Sequence, residues 1–212
     1  MIYEVRTYTL KAGAGAVAKF EQAFAEGYEV RKNYSPMIGL WHTEIGPLNQ
    51  VVHIWPYEDL AQRQAIRAKA NADPSGKWPP HGVNELELEQ DSWIMNPAPF
   101  MRPLAGDPQA LGGIYEMRIY TYQPGSLPKV IEAWSKVIKD REQFSPLVAA
   151  LYSELGGLNR WVHIWPYADL GERTRIREEA TAKSPGWPPP TGQWLYKQEN
   201  KILIPAACSP LH

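Results

Sequence analysis

Residues Leu48–Tyr57 read LNQVVHIWPY and residues Leu158–Tyr167 read LNRWVHIWPY, identical at eight of ten positions. A phrase this long does not recur by accident in one chain of 212 residues, so the repeat is the first thing to follow outward. IYEVRTYT (Ile2–Thr9) returns as IYEMRIYT (Ile114–Thr121), and residues 34–67 match 144–177 without a gap at 17 of 34 positions. The spacing falls from 112 to 110 between these blocks, which places a two-residue loss in the loop where KAGAGAV is replaced by QPGSL. GKWPP (Gly76–Pro80) is answered by PGWPPP (Pro185–Pro190). The segment between the copies, NPAPFMRPLAGDPQALGG, is rich in proline and glycine, lacks periodicity and reads as a linker. The expected organisation is a repeat over 1–100, a linker over 101–113 and a second repeat over 114–212.

Each copy reads as strand, helix, strand, strand, helix, strand. Val17, Phe20, Phe24 and Tyr28 form one helical stripe, and Leu127, Val130, Trp134 and Ile138 form its copy. Ser126 and Pro128 supply a helix start as cap and early-turn proline. Asp59 and Asp169 stand at the start of each second helix, where an acid suits the dipole. Gly46-Pro47-Leu48-Asn49 and Gly156-Gly157-Leu158-Asn159 are hairpin turns, with each asparagine suited to left-handed geometry. Fourth strands are expected near Glu85–Trp93 and Trp194–Leu203. The fold class is α+β: two ferredoxin-like βαββαβ repeats, each an antiparallel sheet with two helices on one face. A bare sheet face on about 100 residues is sticky, so the two sheets are expected to pack bare face to bare face.

Alternation along the strands sorts the side chains. With Val5, Val52 and Ile54 assigned to the helix stripes, the space between the sheets receives Glu4, Arg6, Tyr8, His53 and Trp55, with His42 and Glu44 from the second strand. The copy sends Glu116, Arg118, Tyr120, His163, Trp165, Tyr152 and Glu154. Such an interior is either a set of ion pairs that fixes sheet packing or a pocket for a small apolar or aromatic metabolite. In the second case Arg6 and Arg118 bind an anionic or carbonyl group, His53 and His163 carry a proton, and Glu44 and Glu154 act as their electrostatic partners. Arg63 and Arg67, with Arg173 and Arg177, read as a solvated or interface stripe. The Trp-Pro-Pro loops are stiff segments, either packed or lidding the cavity. The larger Trp161, in place of Val51, is expected to fill one pocket.

A net charge of -1 from 22 basic and 23 acidic residues gives no footprint for nucleic acid or an anionic membrane surface. One cysteine, Cys208, excludes an intrachain disulfide and fits a reducing compartment as an inert thiol. The opening MIYEVRTYTL alternates like a strand rather than a leader, so a cytoplasmic location is expected. The five histidines lack metal-site spacing and no phosphate loop or nucleophile elbow is present. No cofactor is therefore expected, with haem held by an interior histidine as an alternative.

The phrases Y-E-x-R-x-Y-T, G-x-L-N-x-V-V-H-I-W-x-Y and D-L-x-x-R-x-x-I-R, in that order and twice over, resemble the NIPSNAP family. The resemblance implies a dimeric α/β barrel, with both halves here in one polypeptide, in a superfamily that holds cofactor-independent monooxygenases, isomerases and haem enzymes. It also implies a bacterial relative of animal members that are associated with mitochondria and protein interactions. A non-catalytic assembly module, or a homo-oligomer beyond the internal pair, is accordingly the other functional expectation. The positions matching the family phrases are Glu4, Arg6, Tyr8, Asn49, His53, Trp55 and Tyr57, with Glu116, Arg118, Tyr120, Asn159, His163, Trp165 and Tyr167. The family pattern carries over no catalytic role.

Overall fold

The computed structural model describes residues 1–13 and 15–212. Ala14, inside the loop assigned the length difference between the copies, lies outside the described residues. The first repeat runs β1 (Ile2–Leu10), α1 (Ala16–Arg31), β2 (Gly39–Ile45), β3 (Gln50–Tyr57), α2 (Leu60–Asn71) and β4 (Glu87–Pro97). The second runs β5 (Ile114–Tyr122), α3 (Leu127–Arg141), β6 (Ala149–Leu155), β7 (Arg160–Tyr167), α4 (Leu170–Lys183) and β8 (Leu195–Pro205). Asn49 and Asn159 take φ of 56° and 59°, the left-handed turn geometry expected of them. The Asp59 and Asp169 carboxylates each accept the backbone N–H three residues on, at 2.8 Å, and so cap α2 and α4. Ser126 is the residue before α3, but its hydroxyl turns back to the Gln123 carbonyl instead of capping.

The sheets join as well as face one another. Strand order is β1-β3-β2-β8-β5-β7-β6-β4, closed by β4 on β1, and every pairing is antiparallel. The last strand of each repeat pairs with the edge of the other: Trp41 with Pro205 on one seam, Asn96 with Tyr152 on the other. Closure removes all free edges, a sound reason for tandem copies to be retained in one chain.

The expected sorting of strand faces is reversed. Tyr3, Val5, Trp41, Val52, Ile54 and Met95 turn into the barrel and meet Tyr115, Met117, Ile119, Val162, Ile164 and Leu203 of the other copy. The Trp41 and Tyr115 rings lie 5.5 Å apart across the repeats. An eight-stranded barrel is just wide enough to be filled by side chains, and these aliphatic and aromatic residues fill its core. Glu4, Arg6, Tyr8, His53 and Trp55 instead point outward beneath the helices. There Phe20, Phe24 and Tyr28 of α1 cover them with Leu40, Val51 and Tyr57. His42 also turns that way, 2.8 Å from Glu21 of α1. The apolar valines had been matched to the apolar helix stripe, but that stripe is aromatic and seats on rings and guanidinium groups.

Candidate functional site

Glu4 anchors the first site. Fully buried, its Oε1 accepts from Arg6 Nη1 at 2.9 Å, Arg63 Nη2 at 2.5 Å and Ser92 Oγ at 2.8 Å, with Arg67 Nη1 3.8 Å from Oε2. Burial alone would raise its pKa, but the Arg63 hydrogen bond and the Arg6 charge outweigh it and hold the group at about 2. Arg63 and Arg67 are therefore not a solvated stripe; one turn of α2 points both at Glu4. Glu116 gathers Arg118, Arg173 and Arg177 in the same way.

Beside this cluster, Trp55 Nε1 donates to His53 Nδ1 at 2.6 Å, and Trp165 Nε1 to His163 Nδ1 at 2.7 Å. An indole nitrogen only donates, so each imidazole must carry its proton on Nε2. Neither Nε2 has a partner among the described residues. Burial and the nearby Arg6 charge push the His53 pKa down to about 3, and burial with Arg118 pushes His163 well down. Both rings are thereby held neutral at neutral pH, with Nε2–H as the donor each can offer, an arrangement that works against the proton-carrying role expected of them.

A third component comes from the end of α1. Arg31 is 2% exposed, and its guanidinium lies 4.3 Å over the Trp55 ring. It donates to Tyr57 Oη at 3.0 Å and to the Ser35 carbonyl at 2.9 Å. Arg141 repeats this over Trp165 at 4.1 Å, with Tyr167 and Ser145 as acceptors. Neither has a carboxylate partner among the described residues. The sequence reading missed both, although the stripe 17, 20, 24, 28 continues to 31 with helical spacing, and 127, 130, 134, 138 continues to 141.

These groups wall two clefts between sheet and helices, of about 250 Å³ and 310 Å³. Arg6, Arg31 and Arg67 supply the charge of the first, and Tyr8, Phe24, His53, Trp55 and Tyr57 its rings. Arg118, Arg141 and Arg177 line the second with Tyr120, Trp134, His163, Trp165 and Tyr167. Trp78-Pro79-Pro80 and Trp187-Pro188-Pro189 form the outer wall of each. These clefts lie outside the barrel, one per repeat, so the residues expected between the sheets border the helix side instead. Trp161 fills neither cleft: it is fully buried and packs its ring 5.2 Å from Trp134.

The other sequence candidates fall elsewhere. Glu44 and Glu154 are exposed near the ends of β2 and β6, Glu154 accepting from Asn96 Nδ2, and neither lines the cleft that holds His53 or His163; Glu44 acts electrostatically on His42 instead. Asn49 and Asn159 are spent on their turns, and Glu4 and Glu116 lie behind the cleft walls. The clefts differ at one charged position. Glu87 lines the first, where burial raises its pKa, and Leu195 takes its place in the second. Among the described residues no three His, Cys, Asp or Glu side chains converge as metal ligands. The haem alternative does not fit: each histidine has only the enclosed Nε2 to offer, beside a cleft at the lower end of small-ligand volumes.

Comparison with known proteins agrees with the repeat. The NIPSNAP family model matches residues 3–102 and again 115–210. The Dictyostelium discoideum protein NipSnap homolog is 28% identical over 207 residues, covering 96% of this chain and 87% of that protein. Mouse protein NipSnap homolog 2 is 29% identical over 193 residues, 82% of this chain, and the match spans only 63% of that longer protein. A Fusobacterium nucleatum structure described as a putative monooxygenase shares the fold, with a TM-score of 0.65 at 9% identity over 97% of this chain and 92% of its own. Among the described residues no helix is long and apolar enough to cross a membrane.

Proposed function

The chain belongs to the NIPSNAP family, and we propose that each of its helix-side clefts binds a small aromatic or apolar metabolite through an anionic group, a carboxylate above all. The observation that carries this reading is the buried guanidinium of Arg31, repeated in Arg141, which has no carboxylate partner among the described residues. A buried unmatched cation is costly, and an incoming anion offsets that cost. Counting the groups behind its wall, the first cleft has four guanidinium groups, Arg6, Arg31, Arg63 and Arg67, against two acids, Glu4 and Glu87; the second has Arg118, Arg141, Arg173 and Arg177 against Glu116 alone. Rings on the opposite wall hold the ligand body, and the His53 or His163 Nε2–H supplies a neutral hydrogen-bond donor.

Turnover at this site, if the ligand is a substrate, runs through polarisation of an oxygen by that donor and the arginines rather than through proton abstraction by histidine. The Fusobacterium protein that shares this fold is described as a putative monooxygenase. A cytoplasmic location is part of the reading and is supported by the single thiol, Cys208.

Calorimetric titration with benzoate, phenylacetate and indole-3-acetate, each against its neutral primary amide, tests the proposal. The carboxylates are expected to bind at least about tenfold more tightly, a difference of 1.4 kcal/mol. Equal affinity for the amides, or no binding by any of the acids, overturns it. Arg67→Ala and Arg177→Ala, on the more exposed arginines of each cleft, are expected to weaken the carboxylates alone.

A further inference from the structure

The barrel has a mouth that neither cleft touches. A cavity of about 450 Å³ opens at the end where Thr7 and Ile119 stand opposite each other, the same position in the two copies. In the register Thr7 pairs with Asp91, Ile119 with Glu199, Val5 with Trp93 and Met117 with Lys201. Asp91, Trp93, Glu199 and Lys201 therefore share the inward face with the barrel core. Across the pseudo-dyad the copies differ at every one of these positions, so the β1–β4 wall carries Thr7 and Trp93 where the β5–β8 wall carries Ile119 and Lys201.

Lys201 is 6% exposed. Its Nζ donates to Gln50 Oε1 at 2.7 Å and makes no ion pair among the described residues. The nearest acid on its own strand, Glu199, is taken by Lys197. Trp93, its counterpart, has its ring face covered by the Arg160 guanidinium at 4.0 Å. A homodimer would place two lysines or two tryptophans across this axis; only a duplicated chain sets one amine against one ring.

We propose that the barrel mouth is a second ligand site, for a small aldehyde or ketone with an apolar or aromatic body, whose carbonyl carbon is held at the Lys201 amine. The Lys201 nitrogen lone pair adds to the carbonyl carbon, and the carbinolamine loses its oxygen as water to leave an imine. The proton lost from nitrogen and the proton gained by oxygen balance through Asp91, which faces the same space. Reversal by water releases the carbonyl compound unchanged, so no oxidant or reductant is consumed. Burial lowers the pKa of Lys201, with Glu199 and Asp91 pushing the other way, and this favours the free amine that the addition needs.

The test is reductive trapping. The whole protein is incubated near neutral pH with benzaldehyde and sodium cyanoborohydride, and benzylation of each lysine is followed by peptide mass spectrometry. Lys201 is expected to be modified at least roughly tenfold faster than the exposed Lys136 and Lys197, because the cavity adds proximity to reactivity. Ile119→Trp, which fills the cavity and leaves Lys201 in place, is expected to abolish that advantage. Trp93→Ala, which widens it, is expected to admit 2-naphthaldehyde at the rate of benzaldehyde, and serves if the first variant does not fold. Labelling of Lys201 at or below the surface rate, or labelling indifferent to both substitutions, overturns the proposal. Neither outcome depends on whether the helix-side clefts bind carboxylates.

Discussion

Trp55 and His53, two residues apart on β3, are joined side chain to side chain by a 2.6 Å hydrogen bond from indole to imidazole. The bond stabilises the neutral ring, since a protonated Nδ1 has no lone pair to accept it. Trp55→Phe is therefore expected to raise the His53 pKa from its value of about 3, and Trp165→Phe to raise that of His163. NMR titration of the imidazole resonances checks this. An unchanged His53 titration in the Trp55→Phe protein contradicts it.

Acid lability follows from the same groups. Histidines of the unfolded chain protonate near 6.5 and the folded His53 near 3. Above pH 6.5 neither state takes the proton and stability is complete; between the two values only the unfolded chain takes it. Stability is thus expected to fall as pH drops through this window, by roughly 1.4 kcal/mol per pH unit for each buried imidazole. Glu4, held at about 2 against an ordinary 4.5, adds a further loss below pH 4.5. Urea denaturation at pH 7 and pH 5 measures the slope, and His53→Asn flattens it.

Removing the hub of the arginine cluster is costly. Glu4→Gln leaves Arg6 and Arg63 facing one another without the carboxylate that both contact. A loss of about 3–5 kcal/mol is expected by urea denaturation. The same change at Glu116 is expected to act alike, because Arg118 and Arg173 converge there.

The difference between the clefts gives a reciprocal pair of variants. Glu87→Leu removes the acid from the first wall, and Leu195→Glu installs one in the second. Benzoate affinity is expected to rise about tenfold in the first variant and fall by a similar factor in the second, a change of 1.4 kcal/mol each way. Separate calorimetric titrations of the two proteins decide it.

Cys208 is expected to be slow toward alkylation. Burial pushes its pKa up to about 11, so little thiolate exists at pH 8. Iodoacetamide labelling roughly 100-fold slower than that of free cysteine is expected, with urea restoring the ordinary rate.

The duplicated Leu48–Tyr57 phrase made the repeat, the hairpins and the barrel family readable without coordinates, because repetition and turn chemistry are local signals. Which strand face looks inward was not local. Val5 and Arg6 alternate faultlessly in either direction, and the choice depends on what α1 and α2 carry toward the sheet. Once Phe24 is seen over His53 at 5.2 Å and Arg63 over Glu4, the reversed assignment is the one that keeps Arg6, Arg118, Glu4 and Glu116 out of the barrel core. His53, Arg6, Tyr8, Trp55 and Tyr57, grouped from the sequence, do line one cleft together, although it lies on the helix side of the sheet. Glu44 shares the face of His42 but stands at the exposed end of β2, away from His53, and Arg31 is a charged residue at a helix end, a place where a base also suits the dipole.

The seam that joins Trp41 to Pro205 has a temporal side. A ribosome adding about 5–20 residues per second completes the first repeat several seconds before β8 emerges. During that interval β2 and β4 present ladders of unsatisfied amides and carbonyls to every other nascent chain nearby. Fusion of the copies shortens the delay, since the strands that will cover those rims are already on their way, tethered to the same peptide. Synthesis of the amino-terminal half alone is then expected to yield self-paired dimers or aggregates rather than a soluble monomer.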